Sequence, residues 1–135
     1  IRNVTKDLGF SVELPLQPDP AGTIIKLDND RVVGVWLMPN NQSEGKLEDF
    51  LIRLIPDVDI NACWQHACQA TQEARRLGAK FSELDTVKAN VHTWLAWQET
   101  TGLPFGTAIK AAYFSHDTPE ALAFVAWFKE LFYGY

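Results

Sequence analysis

The strand-like patterning of this chain is confined to its first third, and from Lys46 onward the apolar residues recur with a helical period. Strands gathered in one part and helices in another build an α+β domain, whereas regular alternation builds a parallel sheet. Residues 23–27 and 31–38 are β-rich runs separated by Asp28-Asn29-Asp30, a hairpin signal. The second run continues from Val32 as VVGVWLM, apolar on both faces, which predicts a central strand. Ahead of the hairpin, Ile1, Val4 and Leu8 before Gly9 predict the last turns of a helix with a glycine cap. Phe10, Val12, Leu14 and Leu16 alternate around Pro15 as an edge segment.

Helices are predicted over residues 46–55, stopped by Pro56, and over 59–77, with Asp59 as N-cap and Gly78 as stop. Another starts at Ser82 or Asp85 and runs to 99, and a shorter one covers 104–114. Thr118-Pro119-Glu120 opens a last helix that runs to 132: an N-cap, a proline at the first position, an acid in the first turn. Its core stripe is predicted to be Ala121, Phe124, Val125, Phe128, Leu131 and Phe132, with Trp127 outside it. The fold class is therefore α+β, or a partial α/β whose earlier units are absent. A short N-terminal hairpin or sheet is packed by four to five helices in one domain. A helix without a visible beginning at Ile1 adds the expectation that an N-terminal portion is missing.

Composition then limits the kind of protein. With 47% apolar and 21% charged residues the chain is not a disordered segment. No run approaches the roughly 20 apolar residues of a membrane helix. A net charge of −5 with no basic arm argues against a general nucleic-acid binder. Cys63 and Cys68 fall about 140° apart on a helix, too far round to pair. They read as small buried residues, which fits a reducing cytoplasm.

Three constellations offer chemistry. The loop Pro39-Asn40-Asn41-Gln42-Ser43-Glu44-Gly45 leaves the C-terminal end of a strand, where α/β sheets bind ligands. With Glu48 and Asp49 behind it, Glu44 supplies the oxygen ligands that a hard cation such as Mg²⁺ takes. The same acids also read as a solvated first turn favoured by the helix dipole. Asp85, Lys88, His92 and Glu99 share one helix, Lys88 and His92 four apart. A lysine beside a histidine can stabilise phosphate charge and move a proton, or form an ordinary polar face. The third is aromatic: Trp36, Trp64, Trp94 and Trp97 as a pocket for an aromatic or cationic small molecule, and Trp127, Tyr133 and Tyr135 as a homodimer contact or a stacking surface. His116-Asp117 reads as a turn before a capped helix, and Cys63, His66 and Cys68 lack the spacing of a zinc site.

Three stretches together resemble an uncharacterised bacterial family related to the Toprim domain. They are Val35-Trp36-Leu37-Met38-Pro39-Asn40-Asn41 with Leu47-Glu48-Asp49-Phe50-Leu51; Lys88-Ala89 with Val91-His92-Thr93-Trp94-Leu95-Ala96-Trp97-Gln98; and Ala108-Ile109 with Phe124-Val125 and Trp127. The resemblance implies an α/β design that binds Mg²⁺ for phosphoryl transfer on nucleic acid, and it maps a later acidic position and a lysine onto Glu48 (with Asp49) and Lys88. The chain departs from that pattern. It has no early strand-Glu-Gly unit, and its Asp28-Asn29-Asp30 lies in a hairpin turn. On the family's order the primary metal motifs would precede Ile1. The resemblance therefore implies a Toprim-like remnant, with a weak metal or nucleotide site at Glu48, Asp49, Lys88 and His92 and no competent catalysis alone. The alternative is a non-enzymatic module that binds a second copy or a small ligand.

Overall fold

A computed structural model describes residues 15–27 and 31–134. The predicted helix over 1–8, the alternating segment up to Leu14 and the turn at Asp28-Asn29-Asp30 lie outside the described residues. Strands β1 (Thr23–Lys26) and β2 (Val32–Val35) pair antiparallel, with Thr23 opposite Val35 and Lys26 opposite Val32. Five helices follow: α1 (Leu47–Ile52), α2 (Ala62–Arg76), α3 (Thr86–Ala96), α4 (Phe105–Lys110) and α5 (Pro119–Tyr133). A 3₁₀ turn, Glu83–Asp85, leads into α3. The architecture is α+β. Among the described residues the sheet is this one hairpin. The central strand predicted at 31–38 is a four-residue strand, because the chain turns away after Val35 into the Asn41 loop.

Local chemistry explains the helix ends. Asn61, not the predicted Asp59, caps α2, its Oδ1 accepting from Trp64 N at 2.9 Å. The chain turns sharply through Asp57 (φ 50°), whose carbonyl accepts from both Ile60 N and Asn61 N, so Asp59 lies in a turn. Thr118 caps α5 as predicted, accepting from Ala121 N at 3.2 Å. Asp49 Oδ2 accepts from Lys46 N at 2.7 Å and so satisfies an amide at the start of α1.

The main core joins α1, α2, α3 and α4 through Phe50, Leu51, Leu54, Ile55, Trp64, Ala67, Val91, Trp94, Leu95 and Ala108, with Phe114 and Ala121 closing it. A second cluster seats the hairpin on α5. Trp127 is buried there, against the stripe prediction, with its Nε1 donating to Thr23 O at 3.4 Å. A Cβ at Gly22 or Gly34 would collide with the Trp127 ring, and one at Gly34 also with Leu131. Two glycines thus clear the space that the indole fills. The hairpin covers the face that carries Trp127 and Leu131, so Val125, Phe128 and Phe132 of the predicted stripe point outward. Phe124 joins the two clusters, its ring 5.6 Å from Phe50 and 5.5 Å from Trp127. No helix among the described residues is long and apolar enough to cross a membrane.

Candidate functional site

The loop after β2 is held by its own side chains. Asn41 is buried in the left-handed region (φ 61°), where asparagine is tolerated better than most residues. Its Oδ1 accepts from Leu37 N and its own N–H donates to Leu37 O, both at 2.7 Å. Asn40 Oδ1 accepts from Gln42 N, Ser43 N and Ser43 Oγ. Leu37, Met38, residues 41–45 and Pro18 line a concavity of about 390 Å³, with Glu44 its one charged side chain.

The predicted acidic and basic residues come together only in part. Glu48 is buried at the start of α1 and pairs with Lys88 Nζ of α3 at 3.6 Å. Lys46 Nζ reaches over to Leu84 O, a second tie between the same regions. Asp49 is turned to the amide of Lys46, and Glu44 lies exposed on the loop. His92 stacks on Phe105 with ring centroids 4.8 Å apart. Asp85 accepts from Ser82 Oγ at 2.6 Å, and Glu99 is exposed. Among the described residues no group of three or more His, Cys, Asp and Glu is placed to hold a metal ion.

The tryptophans occupy separate surroundings. Trp36 packs edge-on to Phe124, with its Nε1 donating to Pro39 O at 3.3 Å. Trp64 and Trp94 are buried in the main core, Trp94 against Phe114. Trp97 is partly exposed and stacks on His66. Trp127 is consumed by the fold and unavailable to a partner, while Tyr135 lies outside the described residues. Both cysteines are free thiols, but Cys63 is exposed and not buried as predicted. Cys68 is partly buried, and burial pushes its thiol up from the ordinary range. His116 Nε2 sits 2.8 Å from Ile109 O and ties the turn before α5 back to α4.

Sequence reasoning missed a polar cleft of about 470 Å³ between α2 and α3. Cys68, Thr71, Gln72 and Arg75 line it from α2, Thr86 and Asn90 from α3, and Glu83 from the turn between. The signal was legible. Positions 68, 71, 72 and 75 share one face of a helix, and 86 and 90 share one face of the next.

No curated protein and no solved structure matches the chain. The Toprim relationship implied by the resemblance finds no support in these comparisons. Over residues 1–133 the chain matches the proteins of unknown function grouped as DUF3226, and it belongs to that family.

Proposed function

We propose that the chain is a non-enzymatic interaction module that pairs with a second copy of itself through the outer face of α5. One observation carries this reading: Leu122, Val125, Phe128, Phe132 and Tyr133 are all at least 44% exposed on that single helix. Phe128 and Phe132 already pack against each other along it, 4.5 Å between ring centroids. With Ala126 and the methylenes of Lys129, the stripe offers on the order of 500 Å² per copy, near the upper end of what a monomer leaves open. Two copies related by a twofold axis lay the stripe on itself. They reach the roughly 1,000 Å² at which a specific interface begins.

Light scattering at tens of micromolar tests the reading. The expected mass is twice the 15.2 kDa of one chain. The doubly charged variant Val125→Glu, Phe128→Glu is expected to be monomeric with an unchanged circular dichroism spectrum. A monomeric parent chain overturns the proposal.

A weak Mg²⁺ or nucleotide site at Glu48, Asp49, Lys88 and His92 draws on less. Glu48 faces Lys88, Asp49 holds a helix amide and His92 faces an aromatic ring. All four groups thus have structural partners that a ligand would have to displace.

A further inference from the structure

We propose that the cleft between α2 and α3 binds a free α-amino acid with an uncharged, hydrogen-bonding side chain. Its volume of about 470 Å³ lies in the ordinary range of small-molecule sites. Its lining mixes polar and apolar surface, with polar side chains at positions where a helix pair usually packs apolar ones. The only formal charges on that lining are one guanidinium, Arg75, and one carboxylate, Glu83. Arg75 Nη2 and Glu83 Oε2 stand 3.6 Å apart, outside hydrogen-bond range, with side chains 40% and 84% exposed. Such a pair is loose and weakly favourable.

A zwitterion is the ligand that fits this arrangement. Its carboxylate can take the fork of Arg75 and its ammonium the carboxylate of Glu83. One loose exposed pair then becomes two charge-assisted contacts. An anion alone meets Glu83 and a cation alone meets Arg75, so each is disfavoured.

The interior selects the side chain. Thr71, buried on α2, contacts Asn90 of α3 and so joins the two walls. Thr86 Oγ1 is buried on the α3 wall with no hydrogen-bond partner among the described residues. A buried orphan hydroxyl calls for an explanation, and a ligand group that meets it once the Thr86 side chain turns into the cleft supplies one. Asn90 and Gln72 add amides able to donate and accept. None of these groups carries charge, so a charged ligand side chain would be desolvated without a counterion.

Titration calorimetry with L-glutamine as the probe tests the site. L-glutamine is expected to bind, and L-glutamate to bind at least tenfold more weakly. Arg75→Ala is expected to weaken L-glutamine at least tenfold. The near-isosteric Thr86→Val is expected to weaken L-glutamine severalfold while raising the melting temperature of the unliganded protein, since it removes the orphan hydroxyl. That rise shows the variant is folded, so its loss of binding cannot come from misfolding. No heat from L-glutamine at ten millimolar, equal binding of L-glutamate, or unchanged binding in Arg75→Ala each overturns the proposal.

Discussion

Cys63 and Cys68 lie five residues apart on α2 and meet different surroundings. Cys63 is exposed, whereas Cys68 lines the α2–α3 cleft and is held up as a thiol by desolvation. The thiolate is the reactive form, so a raised pKa and partial cover both slow attack. Alkylation of the native protein followed by mass spectrometry is expected to label Cys63 first and Cys68 clearly later. Equal rates would show that α2 is not packed as described. The raised pKa also fixes the sign of a stability effect. The folded state is favoured while the Cys68 thiol stays protonated, and that preference is lost at high pH: the unfolded thiol ionises first, and stability falls until pH passes the raised folded-state value. At this scale the sequence showed which residue types stood where, but not their cover. Glu48 read as a metal ligand or as a solvated first-turn acid, and only the approach of α3 gave it a lysine and buried it.

Helix starts were legible when the signal was local. Thr118-Pro119-Glu120 needed nothing from the rest of the chain, and Thr118 caps α5. Asp59 had the right chemistry for a cap but not the right backbone. The turn at Asp57 places Asn61 at the cap position, where its Oδ1 meets Trp64 N and its Nδ2 donates to Pro56 O at 3.0 Å. Asn61→Ala is therefore expected to cost about 1 kcal/mol in urea denaturation, the typical value of a helix cap. Asp59→Ala is expected to cost much less. The reverse order would return the cap to Asp59. Strand β2 illustrates the opposite limit. Its run of apolar residues could not distinguish a long central strand from a short one followed by a turn, because an apolar run does not mark where the chain leaves the sheet, and Val32 and Leu37 in fact remain exposed.

For the whole molecule, the decisive contact is Trp127 between α5 and the hairpin. It fills the space vacated by Gly22 and Gly34, and its Nε1 bonds Thr23 O across 104 residues of chain. Trp127→Ala is expected to destabilise the protein by about 3–5 kcal/mol, the usual cost of emptying a buried aromatic site. Urea denaturation measures it, and a loss below about 1 kcal/mol would show that the hairpin is anchored elsewhere. The sequence by itself determined the antiparallel hairpin and the four to five helices that follow it, and narrowed the class to α+β or a partial α/β, since periodicity and capping act over a few residues. Tertiary structure alone decided which side of α5 is buried. A helix rich in apolar residues offers more than one face, and the face that meets the hairpin is set by where two distant glycines leave room. The α2–α3 cleft was decided the same way: its lining was written along two helices, but only their packing made a cavity of it.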